Sequence, residues 1–455
     1  MEEVLLFLRD VLSQPALLIG IMSCIGLVAL RKPAHKVMTG TLKPILGYLM
    51  LSAGAGVIVT NLDPLGKMIE QGFHITGVVP NNEAIVSVAQ SVLGVETMSI
   101  LVVGLLFNLV IARFTKFKYV FLTGHHSLFM ACLLSAVIGA TGIKGWELIL
   151  LGGFLLGAWS AISPAIGQRF TSKVTDGDEI ALGHFGSIAY YISALVGKAV
   201  GKPGDSTEDI EIPEKWGFLR DSTLSTGLTM IVFYLVAAFA AGPDFVSTLS
   251  KGMSPFLFAI ISALQFAVGV AVVYAGVRMI LGDLIPAFQG IATSIIPKAI
   301  PAVDCAVFFT YAPTAVVLGF ICSFIGGIIG MLILGAVGGV LIIPGLVPHF
   351  FCGATAGIFG NATGGRRGAI AGAFVNGLII TFLPALLLPV LGTLGFQNTT
   401  FGDADFGLIG ILLGQTFNAV GSIGIYAIAL VALLVLIIPN FIHTKTDVIN
   451  YEEEE

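Results

Sequence analysis

Charge is the scarcest property of this chain. Of 455 residues, 22 are Lys or Arg and 27 are Asp or Glu, 11% in all, where a soluble domain carries about 25%. With 56% hydrophobic residues and a mean hydropathy of +0.98, the chain cannot coat a water-soluble globule, and it reads as a polytopic membrane protein. The net charge of −5 says little, because charge is confined to loops, and no nucleic-acid partner is expected. Period-two alternation is missing, which excludes barrel strands in favour of helices. Cysteine is sparse: Cys24, Cys132, Cys305, Cys322 and Cys352 sit in apolar surroundings without CxxC spacing. That excludes a disulfide framework or a zinc site and leaves small buried hydrophobes. Gly364-Gly365-Arg366-Arg367-Gly368 lacks the Lys-Ser/Thr end of a P-loop. Gly124-His125-His126-Ser127 has no GxSxG context, so no hydrolase nucleophile is read. No cofactor is expected. His125, His184 and Asp304 could make a two-His-one-carboxylate metal set, but no local ligand spacing supports one.

Glycine is abundant instead. Its 57 residues point to close helix packing, broken helices and re-entrant loops. Apolar runs predict spans near residues 14–30, 44–60, 95–112, 119–138, 146–162, 223–241, 256–281, 314–343, 369–391 and 408–438. The first run is preceded by acids and followed by bases, the reverse of a cleavable signal sequence. Arg31, Lys32 and Lys36, then Arg113, Lys116 and Lys118, then Arg366 and Arg367 mark cytoplasmic turns by the positive-inside rule. Glu2, Glu3 and Asp10 then lie outside, and Lys445 with the glutamates of 452–455 inside. That polarity needs an odd number of spans, about eleven of roughly 20 residues. Residues 61–90 read as short amphipathic pieces and 168–179 as a polar turn. Residues 180–200 read as a re-entrant hairpin or broken helix, 201–221 as a solvated cytoplasmic loop, and 344–365 as a second broken segment.

One carboxylate, Asp304, lies between Pro301 and Pro313 within a long apolar region. An acid at membrane depth costs about 2.5–3.5 kcal/mol on insertion scales, so it faces a cavity or a partner. The alternative is an acid at a helix end, snorkelling to the interface. His125, His126, His184 and His349 are the other polar groups in apolar surroundings, and Glu83 lies in a polar stretch with Asn81 and Asn82. Imidazoles and a carboxylate offer the donors and acceptor that a polyhydroxylated solute needs. Gly54 and Gly276 would let backbone approach it. Against this, an intramembrane histidine can serve only as a helix–helix hydrogen-bond partner. Gly54, Leu62 and Pro64 have the same spacing as Gly276, Leu284 and Pro286. Gly183-His184-Phe185 echoes Pro348-His349-Phe350. Such echoes suggest inverted repeats with a site at the midplane, or chance likeness between glycine-rich segments.

Ordered matches along nearly the whole chain resemble one family. They are LRKPAHKVMTGTLKPILGYLMLSAGAG (30–56), FLTGHH (121–126), VTDGDEIALGH (174–184), GVRM (276–279), IPAVDCAVFFTYAPTAVVLGF (300–320) and LIIPGLVPHFF (341–351). The resemblance is to the ascorbate family of membrane-embedded IIC permeases of the phosphoenolpyruvate-dependent sugar phosphotransferase system. It implies an all-α polytopic membrane protein of about eleven transmembrane helices with re-entrant hairpins and two inverted repeats. Residues 1–222 would form the first repeat, 223–405 the second, and 406–455 the last helix and acidic tail, all in one IIC domain. It further implies a homodimer in the bacterial cytoplasmic membrane, with dimerising and core parts moving against each other. The positions implied to hold solute are Gly54, His125, His184, Gly276 and Asp304; Ala55, Glu83, Phe129 and Phe185 are read as further members of the same site, and Asp304 as its catalytic group. Separate IIA and IIB proteins would relay the phosphoryl group, so this chain needs no phosphoryl-carrying residue of its own. It departs from the family pattern at Phe129 and Phe185, which replace glutamines, at Ala55, which replaces a serine, and at Asn81-Asn82-Glu83, which replaces a tyrosine-bearing stretch. L-ascorbate is the leading solute; another sugar, pentitol or sugar acid competes with it. An ion-coupled secondary transporter, with Asp304 titrating, is the rival mechanism. A lipid-modifying enzyme and a passive channel are weaker ones.

Overall fold

The computed structural model describes residues 10–11, 14–74, 77–80, 82–210, 222–392 and 400–441. Glu2, Glu3, Asn81, Lys445, residues 211–221 and the acidic tail lie outside them. The first half runs α1 (Pro15–Ala29), α2 (Ala34–Phe73), α3 (Asn82–Phe114), β1 (Tyr119–Phe121), α4 (Gly124–Ala140), α5 (Gly145–Thr175), β2 (Ala181–Leu182) and α6 (Ser187–Val200). The second runs α7 (Ser222–Ala241), α8 (Pro243–Leu249), α9 (Pro255–Ser294), β3 (Ile300–Val303), a 3-10 helix (Cys305–Thr310), α10 (Pro313–Ala336), α11 (Leu346–Gly392), α12 (Ala404–Val420) and α13 (Ser422–Ile437). Among the described residues, seven helices are long and apolar enough to cross a membrane, or eight if the bent pair α7–α8 is one span. The protein is thus a mostly helical, multi-pass membrane protein. Helices α1, α4, α6 and α12 are apolar but shorter. Leu106, Val236, Leu332 and Ile423 are exposed, as suits side chains facing lipid.

The frame is an antiparallel pair of 40-residue helices, α2 and α9. A Cβ on Gly54 would lie 2.7 Å from the Gly269 carbonyl oxygen, and one on Gly276 would lie 2.5 Å from that of Gly47. Small residues let the two backbones touch, which is how helices associate where lipid is as apolar as leucine. The second span was expected to stop near residue 60, but α2 continues to Phe73. Several of the polar residues in this extension are satisfied within the helix. The Asn61 amide donates to the Val57 carbonyl at 2.8 Å, and Lys67 pairs with Asp63 one turn away at 2.8 Å. The helix ends where His74 turns left-handed. The rest of that polar stretch opens α3, which is broken at Leu93.

The fold is not purely helical. Three short parallel strands form one sheet in the order β1-β3-β2. The expected fourth span therefore begins as β1, and the Asp304 stretch is a strand followed by a 3-10 turn. Non-helical backbone inside a membrane protein must find partners, and these strands find one another. The outer edge of β1 is closed by a side chain: Asn108 donates to the Tyr119 carbonyl at 3.1 Å and accepts from the Phe121 amide at 3.0 Å. Strand β2 pairs with β3 only from Ala302 onward. Pro301 therefore falls where that flank is still an edge, and its missing N–H is tolerated. Val120, Ala181 and Ala302 are fully buried.

A second parallel bridge joins Val78 to Ile342. The interval from Gly54 to Gly276 also separates Gly47 from Gly269, Val78 from Ile300, Val120 from Ile342, and Asn82 from Asp304. The echo of His184 in His349 does not share it. Other breaks fall at glycines. Gly365, with φ of 61°, interrupts α11, and Gly421, with φ of 71°, divides the last expected block into α12 and α13. The described part of the 201–221 loop is tied down rather than merely solvated. The Glu208 carboxylate accepts from the Thr314 and Ala315 amides at the start of α10, each at 3.1 Å. Arg366 donates to the Ser206 and Asp209 carbonyls.

Candidate functional site

The three strands end on the same side, and each delivers a polar residue. Strand β3 ends at Val303 and is followed at once by Asp304; β2 ends at Leu182, two residues before His184; β1 ends at Phe121, four before His125. Open parallel sheets place ligands outside the carboxyl ends of their strands, and this small sheet has a cavity of about 420 Å³ at that end. Asp304, His125, His126, His184 and Phe129 line one wall, and Tyr48, Ser52 and Ala55 of α2 line another. Asn82, Pro348, Phe351 and Asp403 close the third.

Asp304 caps the 3-10 helix with one oxygen: Oδ1 accepts from the Ala306 amide at 3.0 Å. The other oxygen, Oδ2, lies 3.6 Å from His125 Nε2 and remains available to a guest. The acid does sit at a helix start, but it is 7% exposed and opens into the cavity. Two other imidazoles have their proton positions set by the backbone. His184 Nδ1 accepts from the Gly186 amide at 3.1 Å and lies 3.0 Å from the Tyr190 hydroxyl. His126 Nδ1 accepts from the Phe185 amide at 3.4 Å. An Nδ1 that accepts leaves the ring proton on Nε2, by the logic of the hydrogen-bond network. Both rings therefore act as Nε2–H donors. Their centroids lie 3.9 Å apart. Donors on one side and a carboxylate oxygen beside them suit a molecule bearing hydroxyls.

The same geometry bears on a metal. Among the described residues, His184, Asp304 and Cys305 can bring ligand atoms within 4.8 Å of one another. His184 would have to release the Gly186 amide, or lose its Nε2 proton, to serve as a ligand. The donor set therefore fits a hydrogen-bonded guest better than a cation.

Of the residues expected at the site, Ala55, His125, Phe129, His184 and Asp304 line the cavity. Phe185 does not. It is fully buried and stacks on Phe121 with ring centroids 4.7 Å apart, backing His126 from behind. Gly54 and Gly276 do not line it either. They lie inside helices at the α2–α9 crossing, where their missing side chains allow contact. The expectation that they present backbone amides to a guest is not met in this geometry, because those amides belong to intact helical turns. The side chain of Glu83 lies outside the described residues. His349 is buried away from the cavity, with Nδ1 2.9 Å from the Ser323 hydroxyl.

Sequence reasoning missed the pair Asp403 and Asp405. Asp405 is fully buried. Its carboxylate accepts from the Ser187 hydroxyl at 2.7 Å, the Ile188 amide at 3.0 Å and the Trp159 indole at 3.0 Å. Its own amide donates to the Phe185 carbonyl at 2.9 Å. It thereby fixes the turn that presents His184. The signal was present as two acids in FGDADF (401–406), at the border of an apolar block.

Comparison with known proteins adds the following. The sequence matches the EIIC-GAT family, described as the PTS system sugar-specific permease component, over residues 10–405. The ascorbate-specific PTS system EIIC component of Mycoplasma pneumoniae is 27% identical over 425 residues. That alignment covers 80% of this chain and 63% of the relative, so the chain spans less than two thirds of the relative's length.

Proposed function

The chain belongs to the family of phosphotransferase-system sugar-specific permease components, and from that premise we propose that it carries L-ascorbate or a related sugar, pentitol or sugar acid. It moves this solute across the bacterial cytoplasmic membrane while a partner IIB protein phosphorylates it. The observation that carries the reading is the convergence of His125, His184 and Asp304 from three parallel strands on one cavity. Solute enters from outside, and a rigid-body shift of the core exposes it to the cytoplasm. There a solute hydroxyl oxygen attacks the phosphorus held on a IIB cysteine, the S–P bond breaks, and Asp304 Oδ2 receives the hydroxyl proton. Positioning supplies most of the catalysis in phosphoryl transfer, and the added charge prevents return.

The equal interval between paired glycines, bridges and helix starts supports two inverted repeats that share the cavity. A homodimer, about eleven spans, an outer N-terminus and a cytoplasmic C-terminus complete the proposal. Phe129 at the cavity wall favours a solute with an apolar edge where family members present a glutamine. The named relative's specificity makes L-ascorbate the first solute to try.

Proteoliposomes holding the protein, supplied with phosphoenolpyruvate and the soluble relay proteins, test this. Asp304→Asn should lower product formation at least about a hundredfold, within the usual range for a lost general base, while the protein still folds. Near-normal turnover would remove the role assigned to Asp304. Collapse of transport by an ionophore, with phosphoenolpyruvate still present, would favour the ion-coupled mechanism instead.

A further inference from the structure

Asp403 immediately precedes α12, where an aspartate ordinarily accepts a hydrogen bond from the first turn of its own helix. It makes no such cap. Its carboxylate turns the other way, towards α3 and α11. Oδ1 accepts from Cys352 Sγ at 2.9 Å, and Oδ2 accepts from the Asn82 side-chain amide. Asn82 is itself held, because its Oδ1 accepts from the Gly402 amide at 2.8 Å. Asp403 is 6% exposed, and it lines the same cavity as Asp304. Two donors leave an ionised carboxylate with unused lone pairs, and a guest is the natural source of further donors. Asn82 stands to Asp304 at the interval that relates Gly54 to Gly276. One half of the chain thus opens a helix with a carboxylate, and the other opens a helix with an amide that has recruited one.

We infer that Asp403, positioned by Asn82 and Cys352, is a second hydroxyl-accepting carboxylate of the solute site. The guest is then a small polyhydroxylated molecule with at least two hydroxyl donors, one for Asp304 and another for Asp403, and with oxygens that accept from His126 and His184. This deepens the permease reading and rests on it for the solute class. The competing role for Asp403 is a clip that only ties the start of α12 to the start of α3.

The test is equilibrium binding to the purified full-length protein without relay proteins. The probes are L-ascorbate, pentitols and hexitols, each with analogues lacking or O-methylated at a single hydroxyl. Asp403→Asn should weaken the best-bound solute by about tenfold or more, the usual loss for a hydrogen bond to a charged group. The loss should be smallest for the analogue lacking the hydroxyl that Asp403 reads, a non-additivity that marks direct contact. The ligand-free melting temperature should stay near that of the wild type. Asn82→Ala should show the same pattern across the analogues, and it decides the matter if Asp403→Asn does not fold. Wild-type affinity in these variants, or an equal loss for every analogue with lowered melting, would overturn the assignment in favour of the clip. Relay-driven phosphorylation of the wild type is measured separately. Binding without phosphorylation defeats the permease reading and leaves the Asp403 comparison standing. Normal binding by the variants defeats the Asp403 assignment and leaves the permease. If no polyhydroxylated solute binds the wild type, both fall.

Discussion

At the scale of the residue, the site depends on which hydrogen-bond capacity is already used. The Gly186 amide takes up His184 Nδ1, and the Ala306 amide takes up Asp304 Oδ1. What remains, an imidazole N–H and a carboxylate oxygen, is what a guest can meet. Asp405 stabilises this arrangement from behind, holding the first turn of α6 and the Trp159 indole together. Asp405→Ala would leave buried donors without an acceptor, each costing about 1–3 kcal/mol. It should destabilise the protein by about 3 kcal/mol or more in unfolding measured in detergent, and solute binding should fall with it. Asp405→Asn keeps one acceptor oxygen and should lose less. Unchanged stability in the alanine variant would show that the His184 turn is held by other contacts.

At the scale of the element, the α2–α9 crossing separates a packing role for glycine from a binding one. A methyl on Gly276 would collide with the Gly47 carbonyl and the Leu51 amide, at 2.5 and 2.6 Å. These are backbone atoms, so the helices themselves must part. Overpacking of this kind costs typically about 1–3 kcal/mol. Gly276→Ala should therefore lower the melting temperature, and the order of preference among solutes should stay the same. A variant that melts like the wild type but loses solute binding would return Gly276 to the site. The sheet is an element-scale device too. Four or fewer residues per strand stabilise little by themselves, yet their parallel pairing aligns the starts of three polar turns.

At the scale of the whole molecule, the prediction is one of sidedness. Basic turns at Lys32 and Lys202 should face the cytoplasm, and the far end of α2 should face outward. In intact cells, a membrane-impermeant maleimide should label Gln71→Cys but not Lys32→Cys or Lys202→Cys, and inverted vesicles should reverse the pattern. The native cysteines are buried or half-buried and set the background. Labelling of all three from one side would refute the assigned sidedness of the first half of the chain.

Membrane character, the glycine-rich breaks, the family and the convergence of His125, His184 and Asp304 on one cavity were legible in the sequence. Each depends on composition or local order: scarce charge, helix-length apolar runs, and polar groups too costly to leave in lipid. The paired spacing of Gly54 and Gly276 was legible as well, but its meaning was not. Whether a glycine amide meets a guest or a glycine face meets a helix depends on what packs opposite, and Gly47 and Gly269 are distant in the chain. The length of α2 was misread because polar residues that bond within their own helix look, in sequence, like a turn. The three-stranded sheet was invisible, since strands of two to four residues carry no usable periodicity. Asp403 and Asp405 passed as the border of a span. Only the tertiary structure decided that one lines the cavity and the other supports it, because a carboxylate's role follows from the donors that reach it, and here these come from α3, α5, α6 and α11.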